Sequence, residues 1–329
     1  MDQPSLSVII PAKDVEPYIA ETLTSLKHQG LRPDEYEVVV VNDGSTDATG
    51  EIAERYAQTF EQFRIVTNDA PTGLPAARNA GMLASTGRYI AFIDSDDWFA
   101  NGHLRVMLDA IERLGVQSVR SDVIHAIGKR RELRQAPVFR RGVPLRTKDH
   151  IVHGWGLTMV DFPNAFSGIF ARELLDDGTL LFNESLRSAE DREWNWRLFL
   201  YTDSFAVVDA PGAYYRREVP TSITAVYNET QLEFIRSCAL SIAETRKRPG
   251  QEAFSVKALH NLFALADAHL RRRDEMTRQI YHRLIHGVAE AASSASQAEL
   301  NEVIGSFRRD RMQRLKPVLR QLDRKRESA

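Results

Sequence analysis

Glu37-Val38-Val39-Val40-Val41-Asn42-Asp43-Gly44 decides the fold. Four consecutive valines form an unbroken apolar run, the pattern of a strand covered on both faces by helices rather than one with a wet face. The run stops at Asn42-Asp43-Gly44, a turn signal. Upstream, Leu6-Ser7-Val8-Ile9-Ile10 reads as a strand halted at Pro11. Between them, Ile19, Leu23 and Leu26 recur at helical spacing from Pro17 to His28, with Gly30 as a stop. Downstream, Ser45 or Asp47 can cap a helix carrying Ile52, Ala53 and Tyr56. Phe63 to Val66 is a third strand, Leu74 to Ser85 a helix, and Tyr89 to Asp94 a fourth strand. Strand and helix in this rhythm predict a mainly parallel α/β sheet, whose ligands gather beyond the carboxyl ends of the strands. Pro11 to Asp14, Asn42 to Ser45, Thr67 to Asp69 and Asp94 to Asp97 all fall there.

The fourth strand ends in Asp94-Ser95-Asp96-Asp97. Alternation puts Asp94 and Asp96 on one face of an extended chain and Ser95 on the other. Neighbouring carboxylates repel unless a cation compensates, and a hard divalent ion does so directly. A solvated acidic turn is the rival reading of the triplet alone. Neither G-x-G-x-x-G nor G-x-x-x-x-G-K-[ST] follows a strand, which argues against dehydrogenases and P-loop nucleotide hydrolases.

Forty-three basic against forty-five acidic residues among 329 give a net charge of -2, so nothing global points to nucleic acid. The start of the chain lacks a signal-peptide pattern, and no segment approaches the ~20 apolar residues of a bilayer span, so a cytoplasmic protein is expected. A single cysteine, Cys238, excludes an internal disulfide. Lys129, Arg130, Arg131, Arg134, Arg140, Arg141, Arg146 and Lys148 form a basic stretch, read as a solvated hairpin turning near Gly128-Lys129 or as a surface for an anionic acceptor. After Tyr227 the apolar spacing of Leu259, Leu262, Phe263, Ala266 and Leu270 predicts an appended helical domain. It ends in a dense basic run from Arg308 to Arg326, suited to peripheral contact with the inner face of a membrane, to a subunit contact in a homo-oligomer, or to solvation alone.

Together, Ser7-Val8-Ile9-Ile10-Pro11-Ala12-Lys13-Asp14, Val41-Asn42-Asp43-Gly44-Ser45-Thr46-Asp47, Ala76-Ala77-Arg78-Asn79-Ala80-Gly81 and Tyr89-Ile90-Ala91-Phe92-Ile93-Asp94-Ser95-Asp96-Asp97 resemble the inverting glycosyltransferases of family 2. Ser188-Ala189-Glu190-Asp191-Arg192-Glu193-Trp194 and Tyr214-Tyr215-Arg216-Arg217 followed by Ser222-Ile223-Thr224 extend the likeness, which covers residues 1–225 and leaves 226–329 as a helical C-terminal domain. Ala12-Lys13-Asp14 departs from the common Pro-x-Tyr-Asn type of opening. The resemblance implies the GT-A fold, a Rossmann-like nucleotide-diphospho-sugar transferase fold, with Mn²⁺ or Mg²⁺ bridging the donor diphosphate. It implies a nucleotide-sugar donor, a UDP-sugar above others. The implied acceptor is a cell-surface polysaccharide, teichoic acid or lipid-linked glycan.

By the same resemblance, the Pro11 and Ala12 region contacts the nucleoside, Asp43 accepts from the donor base, Arg78 lies near both, and Asp94 faces the ribose side. Ser95 and Asp14 count among the donor-binding residues, with the role of Asp14 left open by the departure in that opening. Asp96 becomes the metal ligand, and Arg216 or Arg217 closes over the diphosphate. An acceptor hydroxyl must lose a proton as it attacks, a task for a carboxylate. Asp191 is the implied base, with Glu190 as substitute. Ser188 with Asp191 also matches a helix capping box, which competes for that aspartate. Trp155, Trp194 and Trp196 suit a core or the faces of sugars. Rival functions are a catalytically idle donor-binding scaffold and a nucleotidyltransferase, though the latter would need a phosphate-gripping loop after the first strand.

Overall fold

A computed structural model of the chain describes residues 3–152, 156–217, 228–247 and 252–327. They divide into two compact units: residues 1–147, 162–184 and 201–220, and residues 148–161, 185–200 and 221–329. Helix 190–201 therefore belongs mostly with the C-terminal helices. The boundary expected between 225 and 226 lies outside the described residues, as do Trp155 and Ser222-Ile223-Thr224.

The first unit is one sheet. Its opening half runs β1 (Leu6–Ala12), α1 (Ile19–Leu26), β2 (Tyr36–Asp43), α2 (Thr49–Ala57), β3 (Phe63–Asn68), α3 (Leu74–Ala84) and β4 (Tyr89–Phe92). Then come β5 (Trp98–Phe99), α4 (His103–Leu114), β6 (Ser118–Ile127), β7 (Arg130–Arg134), β8 (Leu145–Arg146), β9 (Gly168–Ala171), the short α5 (Glu173–Asp176) and β10 (Ser204–Arg216). Strand order is β3-β2-β1-β4-β9-β6-β10-β5, with β7 beside β6 and β8 beside β10. All seven residues of β1 are buried between parallel neighbours β2 and β4, as a doubly covered central strand must be. The parallel quartet is the part that the strand–helix rhythm predicts. Beyond β4 the sheet is mixed, because β9 runs antiparallel to both β4 and β6.

Gly81 explains how closely α3 lies on this sheet. A Cβ there would strike the Ile9 side chain and come within 3.0 Å of Val41 Cγ2, so only hydrogen fits. That approach carries Arg78 on the same helix onto the strand ends.

The second unit comprises α6 (Glu190–Tyr201, of which 190–200 fall in this unit), α7 (Glu233–Arg246), α8 (Glu252–Leu270), α9 (Arg278–Ser293), α10 (Gln297–Gly305) and α11 (Arg309–Glu327). Its core holds Leu259, Leu262, Phe263 and Ala266, all fully buried. Asp267, also buried, accepts from Arg271, Arg311 and Arg314, which ties α11 to α8. Among the described residues no helix is long and apolar enough to cross a membrane.

Candidate active site

Three loops at the carboxyl ends of β1, β2 and β3 are stitched together. After β1, Asp14 adopts a left-handed conformation, φ 49°, and its Oδ1 accepts from the Thr46 amide at 2.8 Å and from the Thr46 hydroxyl. Its own amide donates to Ser45 Oγ. Val15 and Glu16 amides donate to Thr49 Oγ1 and Asp47 Oδ2, and Glu16 accepts in return from Ala48. The Lys13 ammonium and the Thr46 amide hold the Asp14 carboxyl below its ordinary range. Neither expected cap sits at the N-cap of α2, which is Ala48 with no side-chain cap; Asp47, one residue earlier, accepts from the Thr49 amide, and Ser45 is committed to Asp14. Pro11 and Ala12 are buried at the end of β1, in register with Val41 and Asn42.

Asp43 is buried at the end of β2. Its Oδ1 accepts from Asn68 Nδ2, the Thr72 amide and the Thr72 hydroxyl, each at 2.8 Å, and its Oδ2 from the Gly73 amide at 2.8 Å. Burial alone would raise its pKa, but these donors outweigh it and hold the carboxyl below the usual value. Remaining acceptor capacity lies on Oδ2. Gly44 is required next: φ is 64°, and a Cβ would lie 2.7 Å from the Pro71 nitrogen.

The acidic turn follows β4. The Asp97 amide bonds the Asp94 carbonyl at 2.9 Å, closing the turn. The Thr22 hydroxyl on α1 lies 2.9 and 2.7 Å from the Ser95 and Asp97 carbonyls, holding it from below. Asp94 is paired with the buried Arg78, Nη2 to Oδ1 at 2.7 Å, and the Arg78 guanidinium sits 5.0 Å over the Phe182 ring. The pair thus brings two of the expected site residues, Arg78 and Asp94, together. Ser95 is buried. Burial, then the Asp94 charge, push Asp96 up to about 6. Asp97, 1% exposed, is driven well above its ordinary value by burial and by Asp94 and Asp96.

Asp97 Oδ1 accepts from the Arg216 amide at 2.6 Å, while Oδ2 is buried with no hydrogen-bond partner. A carboxylate set under this strain, with an orphaned buried oxygen, suits a hard divalent cation. Among the described residues no three or more His, Cys, Asp or Glu side chains converge as a ready-made metal cage. An ion held by one or two carboxylates keeps positions for phosphate oxygens.

Arg216 ends β10 against this turn. Its Nε donates to the Asp96 carbonyl at 2.8 Å and its Nη2 to Glu21 at 2.6 Å, and its guanidinium lies 4.6 Å from the Trp98 ring. Arg217 is exposed, 5.4 Å over Tyr215. Asp97 and Tyr214 stand in the quoted motifs without an assigned role, and Thr22 and Trp98 are absent from them; the Trp98 and Tyr214 rings stack 5.0 Å and 4° apart. A third adjacent acid and an aromatic after it were the available signal; Thr22 left none.

In the helical unit, Glu190 and Asp191 open α6, Glu190 buried and Asp191 half-buried. Ser188 does not form the expected capping box: its hydroxyl donates to the Thr230 carbonyl. Ser237 of α7 takes the capping role, accepting from the Glu193 amide and donating to the Ala189 carbonyl, next to a left-handed Ala189 at φ 55°. A cap borrowed from another helix satisfies the same first-turn donors. Trp194 and Trp196 are buried in the core and present no face to a sugar.

The model of the family described as glycosyl transferase family 2 matches residues 7–177. Glycosyltransferase EpsJ of Bacillus subtilis (strain 168) is 31% identical over 225 residues, 68% of this chain and 64% of EpsJ. The poly(ribitol-phosphate) beta-N-acetylglucosaminyltransferase TarS of Staphylococcus aureus is 31% identical over 213 residues, 64% of this chain and 35% of TarS. The chain thus matches less than two thirds of the length of either relative. The crystal structure of TarS 1-349 in complex with UDP-GlcNAc superposes with TM-score 0.78 at 20% identity, over 98% of this chain and 91% of that one. A mannosyltransferase from Pyrobaculum calidifontis, in complex with GDP-Man and Mn²⁺, superposes with TM-score 0.54 at 18% identity, over 99% of this chain and 88% of that one. These likenesses show the GT-A fold.

Proposed function

The chain belongs to glycosyl transferase family 2, and from that premise we propose that it is a metal-dependent, inverting glycosyltransferase moving a sugar from a UDP-sugar to a hydroxyl of a teichoic acid or related cell-surface polysaccharide. The observation that carries this reading is the acidic turn. Asp96 and Asp97 are held by Thr22 and Arg216 in a place where their charge is costly. A bound Mn²⁺ or Mg²⁺ would relieve that cost through Asp96 and act as Lewis acid for the departing diphosphate. The TarS and Pyrobaculum complexes, with UDP-GlcNAc and with GDP-Man and Mn²⁺, support the donor class and the metal.

Asp43 is the proposed acceptor for the donor base through Oδ2, beside Pro11 and Ala12, with Asp14 fixing that loop. Arg78 fixes Asp94 toward the ribose. Asp191 is the proposed general base and Glu190 its neighbour. A carboxylate at that helix start can take the hydroxyl proton as the bond to the sugar carbon forms and the bond to the departing diphosphate breaks. Arg216 and Arg217 are proposed to meet the diphosphate side. The exposed cations Arg309, Lys316, Arg320 and Arg324 lie on one face of α11. They are the proposed peripheral contact with a cytoplasmic membrane face, and the C-terminal helices the proposed contact of a homo-oligomer.

Incubation with a panel of nucleotide sugars and acceptor polymer tests the reading: a nucleoside diphosphate is released only with divalent metal. Release of pyrophosphate from sugar phosphate and nucleoside triphosphate would overturn it in favour of a nucleotidyltransferase. Asp191→Asn abolishes transfer while donor affinity stays within a few fold; lost donor binding instead would remove Asp191 from the base role.

A further inference from the structure

The β6–β7 hairpin of the sheet unit is a strongly cationic exposed feature not yet accounted for. It turns at Gly128, φ 52°, as the residue spacing predicts, and pairs Ile127 with Arg130 through Val123 with Arg134. Lys129, Arg130, Arg131 and Arg134 are exposed. The only acid in the segment, Glu132, is shared by Arg130 and Arg134, so four cations against one acid leave a charge of +3. Charge along an edge strand commonly serves only to keep it from pairing with other chains. Cations with that sole purpose point to water.

Arg131, though exposed, does more than that. Its Nη1 donates to the Gly128 and Arg130 carbonyls, bracing the turn, and its guanidinium lies 5.7 Å from the Trp98 ring and 6.0 Å from the Tyr214 ring. Trp98 directly follows Asp97, and the same ring lies 4.6 Å from Arg216, which donates to the Asp96 carbonyl. A continuous line of contacts therefore runs from the acidic turn through Arg216, Trp98 and Arg131 to the open hairpin. Guanidinium groups grip phosphate and carboxylate oxygens in two-point contacts. A neutral acceptor would make no use of such a row.

We propose that the β6–β7 hairpin is a binding subsite for a polyanionic acceptor polymer, with phosphodiester or carboxylate repeats, that Lys129, Arg130 and Arg134 hold beside the acidic turn. Arg131 links that subsite to the turn. The assignment rests on the glycosyltransferase reading and names its acceptor class.

The test uses the full chain and a fluorescent poly(glycerol phosphate), with neutral dextran and phosphatidylglycerol vesicles as comparison probes. The triple variant Lys129→Gln/Arg130→Gln/Arg134→Gln is expected to bind the polymer at least tenfold more weakly. Its slope of log affinity against log salt should be lower by about two, at roughly 0.7 per released counterion for a flexible polyanion. An unchanged melting temperature shows that it folds. In transfer assays the KM for the polymer rises while kcat stays within twofold. Equal polymer affinity in parent and variant overturns the proposal. So does equal binding of dextran, or a defect confined to vesicles, which would make the hairpin a membrane contact. Transfer to the polymer with an unchanged KM in the variant removes the subsite and leaves the transferase reading intact. Polymer binding through the hairpin without nucleoside diphosphate release from any donor keeps the subsite and removes that reading.

Discussion

Asp96→Asn should make the metal-free protein more stable at pH 8 while removing its response to Mn²⁺. Asp96 is driven up to about 6 from 3.8 by burial and the Asp94 charge. At 1.36 kcal/mol per unit, ionising it in the folded chain costs up to about 3 kcal/mol. The sign follows from proton counting. Between pH 3.8 and about 6 the folded state holds a proton that the unfolded state has released, so this group's contribution to stability falls as pH rises through that window. Above it, the cost is constant. His103, His260 and His269 are each depressed to about 4 by burial. They act oppositely, because the unfolded state takes up their protons first as pH falls. The parent's own pH profile therefore mixes both signs, and the difference between variant and parent removes the histidines and leaves Asp96 together with its repulsion of Asp97. Urea unfolding without metal should show that difference growing from near zero at pH 4 to a plateau above pH 7, since an amide is neutral throughout. Addition of Mn²⁺ should raise the parent's melting temperature and leave that of the variant in place. A variant no more stable than the parent at pH 8, or one stabilised equally by Mn²⁺, would refute both the strained charge and the ligand assignment.

Asp43→Ala leaves the donors from Asn68, Thr72 and Gly73 without their acceptor, a loss of about 3 kcal/mol, read by urea unfolding together with weakened donor binding. Gly44→Ala meets the Pro71 backbone in a left-handed conformation. It should cost at least ~1 kcal/mol, more than an alanine at Gly128, where nothing lies within 4 Å. Ser237→Ala removes the borrowed cap of α6, about 1 kcal/mol. Its thermal melt should drop where Ser188→Ala leaves the Glu193 amide bonded.

The parallel quartet was legible because burial on both faces writes itself as uninterrupted apolar runs, and Val38 to Val41 have no exposure at all. The span of α6 was legible from periodicity, because Trp194, Leu198 and Tyr201 recur at helical spacing within Glu190–Tyr201. The antiparallel half was not. β10 carries Asp209-Ala210-Pro211-Gly212 in its middle, and its pairing with β6 shifts register between Val208 and Ala213, so the local signal reads as a break. Nor was the choice between Ser188 and Ser237 as cap, because spacing records only partners near in sequence. The positions of Asp43, Arg78, Asp94 and Asp96 beyond the strand ends follow from topology. What each side chain grips, Thr72 for Asp43, Phe182 for Arg78 and the Arg216 amide for Asp97, depends on neighbours far along the chain.

The loop after β2 is fastened on one side to the loop after β1 and on the other to the loop after β3, so lengthening it would unfasten both neighbours. Asp14 needs Thr46 in place, Glu16 needs Asp47 and Ala48, and Asp43 needs Thr72 and Gly73. A residue swap at constant length keeps these fastenings, whereas an inserted residue breaks them. At the Gly128 turn, where nothing lies within 4 Å of an added Cβ, a longer connection would meet no such constraint.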